Sequence, residues 1–508
     1  MPDFDEMSVE ELEELTTSAD KAERAGALLE MAIRHDRDSD YFLSVVDAGS
    51  ARQLFNEVGD TFNEARSGYI EATGLYRKDD NDEALAAVDS ALELMNSLLN
   101  EVDIAFALRL RSQVLQSLKR RDEAAITLRN AMELFESNDL KSMAGICALD
   151  IGEIHGSADR LREALETFEK ALELFIAEGD LVGTGRAHDR IASALISMGN
   201  FDEAIVHLRE SLHTFEFINE ESRIAYAQYR LGWTLVSNGE HIEAMPLLEQ
   251  ASQWYKAASR WGDAADVDHQ IAHALTSDGQ EAKARALYEQ VRAVYAGLGN
   301  RDQTIIIECN IAESMARTRE FDKAVALLRR NLEQSRLIED DYLIRSISMR
   351  LADTLLELNT FDAAEEALTV LEASPIENWG DSHLDKVRNL DVYRKVYEWL
   401  GRDDDAERAA QSILDVDSEV GSRWFAGEAY STLAKAEKRR GNEDEAARLT
   451  HHAIAIFVAE GYDNQARELA LTILPEKGPR MASALRPEKE VPGVPEPDAV
   501  AADGSEAS

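Results

Sequence analysis

The chain has 508 residues, 44% of them hydrophobic, and 98 acidic against 54 basic side chains give it a net charge of −44. A field of that sign repels a phosphate backbone and argues against nucleic-acid binding, and two isolated cysteines, Cys147 and Cys309, support neither a disulfide framework nor a metal knuckle. No run approaches the roughly 18 apolar residues of a membrane span, and the acidic start MPDFDEMSVEELEEL lacks an export signal's apolar core, so the expected location is cytoplasmic, with no membrane partner.

Residues 1–18 read as an acidic leader. Residues 19–58 read as a degenerate helix pair, because Leu54, Phe55, Gly59 and Asp60 match Leu174, Phe175, Gly179 and Asp180 three periods later. From there the period is explicit. Ala84, Ala124, Ala164, Ala204, Ala244, Ala284, Ala324, Ala364, Ala406 and Ala446 are spaced by 40 residues seven times, then by 42, then by 40.

Each alanine falls near the start of the second helix of a hairpin. Five residues earlier a glycine recurs (Gly199, Gly239, Gly279, Gly401, Gly441), suited to the positive φ that closes the first helix. Two residues earlier an aspartate recurs (Asp82, Asp122, Asp202, Asp322, Asp362, Asp404, Asp444) and is expected to cap the second. Ala171 with Phe175, Ser211 with Phe215 and Ala251 with Tyr255 form a stripe that one hairpin cannot bury. Stacking on neighbours supplies that burial, at about 1.5 to 3 kcal/mol per large side chain. The expected fold is all-α, a right-handed α-solenoid of about ten to eleven helix-turn-helix repeats.

Pro246 falls where a second helix begins and is expected in its first turn, where a missing amide does no harm. Pro375 coincides with the 42-residue step. Residues 59–374 therefore form one run, 375–382 a joint, and 383–474 further repeats with a capping helix. Residues 475–508 hold six of the nine prolines and are expected to be a disordered tail.

In the fifth unit Leu231, Gly232, Leu235, Gly239, Glu243 and Ala244 stand where the tetratricopeptide repeat has its signature residues. The chain resembles that family over roughly residues 60–460, in the longer-period branch of kinesin light chains, Rap-type regulators and MalT-like and actinobacterial regulators. The resemblance implies a non-catalytic adaptor that holds a peptide or protein segment in a concave groove. A peptide-responsive, Rap-type-like sensor is the alternative, although residues 1–58 offer no separate helical bundle.

A helical wheel places Gln228, Leu231, Gly232 and Leu235 on the packing side of their helix, with Tyr226, Tyr229, Trp233, Val236 and Ser237 opposite. In the family that opposite side lines the groove. Equivalent positions in other units hold Arg66 and Tyr69, then Phe106, Arg109 and Gln113, then Arg186 and Asp189, and beyond Trp233 the pair His269 and His273. Over five units Arg66, Arg77, Arg109 and Arg186 stand against Glu153 and Asp189, among six aromatic rings. Such a strip suits a ligand with carboxylates and apolar anchors. Ordinary packing of the rings and pairing of the arginines with neighbouring acids would produce the same pattern. Family members that hold a C-terminal carboxylate use Lys and Asn where this chain has Arg109 and Gln113, which argues against that clamp.

His269 and His273 share a helix face as a metal pair would, but no Glu follows the first, and a polar groove lining accounts for them. With no glycine-rich phosphate loop, GxSxG or CxxC, neither enzyme activity nor a cofactor is expected.

Overall fold

The computed structural model describes residues 4–158, 160–374, 383–420 and 423–474. The expected joint at 375–382 and tail at 475–508 lie outside them. The described residues contain helices and no strand, and the chain divides into two compact units, 1–278 and 279–508.

In the first unit α1 (Val9–Leu15) precedes the hairpins α2 (Lys21–Arg37) and α3 (Tyr41–Val58), α4 (Thr61–Arg77) and α5 (Asn81–Leu98), and α6 (Glu101–Ser117) and α7 (Arg121–Ser137). There follow α8 (Lys141–Gly156) and α9 (Leu161–Glu178), α10 (Leu181–Ser197) and α11 (Phe201–Phe217), α12 (Glu221–Ser237) and α13 (His241–Ala257), then α14 (Trp261–Ser277). The second unit runs α15 (Glu281–Gly297), α16 (Arg301–Arg317), α17 (Phe321–Leu337), α18 (Asp341–Leu356), α19 (Phe361–Glu372), α20 (His383–Trp399), α21 (Asp403–Val420), α22 (Arg423–Arg439), α23 (Glu443–Ala459) and α24 (Asp463–Ile473). Within each unit every one of these helices packs on the one before and the one after, the arrangement of an α-solenoid.

The period is set by small side chains. Each of the ten alanines from Ala84 to Ala446 is at most 1% exposed. Phe175 is fully buried because α8 and α10 offer glycine where its ring lies: a Cβ on Gly145 would stand 2.9 Å from the ring, and one on Gly183 only 2.1 Å. Large ring and missing side chain are thus two halves of one contact.

The turns repeat twice as often as the sequence pattern suggests. From Ser39 to Asn359 a residue in the left-handed region stands at every twentieth position, Asp159 lying outside the described residues. Gly199, Gly239 and Gly279 are among them, as expected, but so are Asp79, Lys119 and Arg319. The turn geometry is therefore imposed by packing at positions where no glycine advertises it.

Two local expectations need correction. The recurrent aspartates do not cap the second helices: α5, α7, α11 and α17 have no side-chain cap bond, and Asp82, Asp122, Asp202 and Asp322 lie inside the first turn, acting on the helix dipole instead. True caps precede several first helices. Asp60, Asn100 and Asp180 accept from the amides of Asn63, Asp103 and Gly183. Pro246 lies within α13 rather than in its first turn, so the carbonyl of Ile242 loses its intrahelical donor. Ile242 is 95% exposed, which leaves that carbonyl open to water.

The acidic start carries more structure than its composition announces. Ser8 and Glu11 form a reciprocal capping box that opens α1, and Leu12 packs with Phe4 and Met7 against Ala27 and Met31. No helix among the described residues is long and apolar enough to cross a membrane.

Candidate binding groove

Most even-numbered helices one hairpin apart touch directly, as α2 does α4, α4 does α6, α8 does α10 and α12 does α14 in the first unit and α16 does α18 in the second, whereas odd-numbered helices make no comparable contacts with one another. The even helices therefore line the inner side of the bend in each unit, the side on which the sequence places the candidate strip.

Two slots open between even helices of the first unit. The first, of 380 Å³, lies between α4 and α6 and is lined by Phe62, Arg66, Tyr69, Ile70, Met95, Leu98, Asp103 and Phe106, among others. It is largely apolar, with one cation and one carboxylate. Phe106 is held edge-on against Phe135, the centroids 5.1 Å apart. Burial pushes the Tyr69 phenol above its usual pKa, against the opposing pull of Arg109.

The second slot, of 290 Å³, lies between α10 and α12. Its walls carry Arg186, Asp189, Arg190, Ser222, Arg223 and Tyr226, with the buried rings of Phe215 and Tyr255 and the turn residue Arg260. Arg223 stacks 5.6 Å from the Phe215 centroid and Arg260 lies 4.9 Å from that of Tyr255, so the rings fix two guanidiniums in place. Arg190, Phe215, Arg223, Tyr255 and Arg260 lie off the wheel positions used to define the strip, because the slot takes walls from two first helices, rings from two second helices and one turn.

The charges are unequally committed. Arg190 pairs with Glu153 at 3.0 Å, Arg260 holds Asp263 through two bonds of 2.8 and 2.9 Å, and Arg223 has Glu220 only at 4.0 Å. Asp189 is 7% exposed and faces Arg230 at 3.2 Å; burial raises its pKa, and Arg230 opposes that shift without reversing it. Arg186 makes no hydrogen bond or ion pair within 4 Å among the described residues. Tyr226 is partly exposed at the slot, its phenol pushed up by burial and further by Asp189.

Elsewhere the arginines find acids about one period away. Arg109 pairs with Asp150 at 3.3 Å and Arg77 with Asp36 at 2.9 Å, which leaves Arg66 and Arg186 as the strip cations without an ion pair among the described residues. Gln113, Tyr229 and Trp233 are half-buried and line neither slot. Burial also raises the Tyr229 phenol, with Asp266 adding to the shift. Val236, expected on the open side with them, is 6% exposed and belongs to the packing. His269 is half-buried and His273 exposed, and no group of three or more potential ligands among the described residues could hold a metal ion. A second histidine pair, absent from the sequence reading, joins α10 to α11: His188 and His207 approach Nδ1 to Nδ1 at 2.9 Å.

These features define a class, a solenoid of helical hairpins with slots along its inner helices. Residues 146–216 match the Tetratricopeptide repeat family model, and the hairpins on either side of that stretch continue its helical architecture. No curated protein matches it. Among solved structures it is similar to BtubC (BKLC) from P. vanneervenii, at 16% identity and TM-score 0.39, covering 44% of this chain and 90% of that one. It is also similar to the apo form of the quorum sensor NprR from B. thuringiensis, at 13% identity and TM-score 0.46 over 64% of this chain and 91% of that one. A Rap protein complexed with Competence and Sporulation Factor aligns at 14% identity and TM-score 0.43, over 70% of this chain and 98% of that one.

Proposed function

We propose that this chain is a non-catalytic interaction scaffold whose inner helices hold a peptide or protein segment bearing carboxylates and apolar anchors. One observation carries the reading. In a chain of net charge −44, Arg186 stands at a slot walled by aromatic rings with no acid in ion-pair reach among the described residues, Asp150 acting on it only from a longer distance. An arginine left without a partner beside rings is the usual equipment for capturing a carboxylate from another chain. The unpaired Arg66 at the apolar slot supports the same reading. Cytoplasmic residence and the absence of catalysis, cofactor and nucleic-acid partner belong to this proposal.

The test is a peptide array of matched acidic, neutral and basic segments probed with the full-length protein. Preferential capture of acidic segments, weakened about tenfold by Arg186→Ala, is expected for a charge-assisted contact of about 1.5 kcal/mol. Equal capture of basic segments, or no response to Arg186→Ala, would count against the proposal.

A further inference from the structure

The two slots are the same place in the repeat. Arg66 of the first stands 120 residues before Arg186 of the second, Asp103 before Arg223, and Phe106 before Tyr226. Identical phase over three periods means that both face one strip of the inner surface. Their charges differ at three matched positions. Where the first has Tyr69, Ile70 and Asp103, the second has Asp189, Arg190 and Arg223; with Arg260 added from the turn, a nearly neutral apolar slot becomes one of four arginines against one aspartate. Between them the ion pair of Arg109 with Asp150 ties α6 to α8, so that stretch of the strip already has its charges matched.

We propose that the first unit reads one extended segment through two anchors: a large apolar side chain in the slot at Phe106 and an aspartate or glutamate in the slot at Arg186 and Arg223. The inference rests on the groove reading above and adds order and distance to it. Neighbouring inner helices at about 10 Å, the upper end of packed interaxial distances, place the slots roughly 30 Å apart. An extended chain at about 3.3 Å per residue covers that with about nine residues. An apolar-only or acid-only segment would fill one slot and leave the other to water.

The experiment is selection of random 16-residue peptides displayed on phage against the full-length protein. The expected result is enrichment of sequences with a large apolar residue about eight to ten positions from an acidic one, always in the same order. Individual peptides should bind at least tenfold more weakly to Arg186→Ala, Arg223→Ala and Phe106→Ala, and unchanged to Tyr342→Ala, an exposed side chain of the second unit. Thermal melts check that each variant is folded. Enriched acidic peptides with no preferred spacing, or indifference to Phe106→Ala, would overturn the two-anchor inference and leave the groove reading standing. If no peptide is enriched, both fail.

Discussion

Arg230 of α12 reaches back to Asp189 of α10, Nε to Oδ1 at 3.2 Å, while its Nη2 donates to Ser193 Oγ at 2.7 Å. The guanidinium thus ties two inner helices together behind Asp189, which lines the basic slot. Because Asp189 is buried, the pair is a constraint more than a source of stability: its removal from water costs about what its attraction returns. Arg230→Ala strands the carboxylate and is expected to destabilise the first unit by about 3 kcal/mol, whereas Arg230→Ala with Asp189→Leu should recover most of it. Urea unfolding of the wild-type chain and the two variants checks this. Equal midpoints for the single and double variants would show that the pair does not behave as a unit.

The His188 and His207 rings give a pH signature. Burial holds both below the usual histidine pKa, His207 adds to the depression at His188, and Glu169, Glu203 and Glu210 pull the other way. A base whose folded-state pKa is depressed binds fewer protons folded than unfolded, so stability rises with pH across the gap. Their contribution is complete above the unfolded value of about 6.5 and is lost as pH falls towards the depressed folded value. The melting temperature should drop between pH 7.5 and 5.5, and His188→Phe with His207→Leu should flatten that slope. A slope unchanged in the double variant would assign it to other groups.

The contact of Phe175 with Gly183 predicts a double-variant pattern. Gly183→Ala puts a methyl 2.1 Å from the ring and should cost about 1 to 3 kcal/mol by overpacking, even though alanine favours helix. Trimming the ring as well, with Phe175→Leu, should make the combined loss smaller than the sum of the two single losses. Simple additivity in denaturation curves would mean that α10 shifts to accommodate the methyl.

In the second unit Arg394 is 2% exposed and meets Asp391 at 2.7 Å, Glu398 at 3.1 Å and Glu428 at 3.3 Å, with Thr432 donated to at 3.0 Å. Arg394→Met leaves three carboxylates facing one another and should destabilise by about 3 to 5 kcal/mol at pH 7. Burial already holds Glu428 above its usual value against the opposing pull of Arg394, so removing the cation raises it further and the deficit should shrink as pH is lowered from 7 to 5. Calorimetry at the two pH values measures it, and a deficit that grows on acidification would contradict the account.

The alanine spacing, the ring stripe and the glycine turns were legible because each depends on residues close together in the chain, the alanine recurring ten times and the glycine five. The aspartate caps were misread by two residues because a recurring Asp looks alike at the cap and in the first turn, and only backbone geometry separates them. Of the strip, Arg186, Asp189 and Tyr226 do meet at one slot, and Arg66, Tyr69 and Phe106 at another. Trp233 and Val236 show the limit of a wheel drawn on one helix: whether a side chain meets a slot or a neighbour is decided by the adjacent hairpins. The pairing of Arg109 with Asp150, 41 positions away, is likewise invisible to a pattern read one helix at a time. Ser8 and Glu11 were a legible start signal, obscured by the acidic composition around them.

The left-handed corner at every twentieth residue bears on how such a chain can change its length. Corners forty residues apart are equivalent, so excising one whole period splices like to like and leaves every surviving helix in its own row. Excising twenty would carry an outer-row helix into the inner row and bury its charges. Gain or loss of whole periods is therefore the rearrangement this architecture absorbs, and each such event between α6 and α10 would reset the gap between Phe106 and Arg186 by one notch.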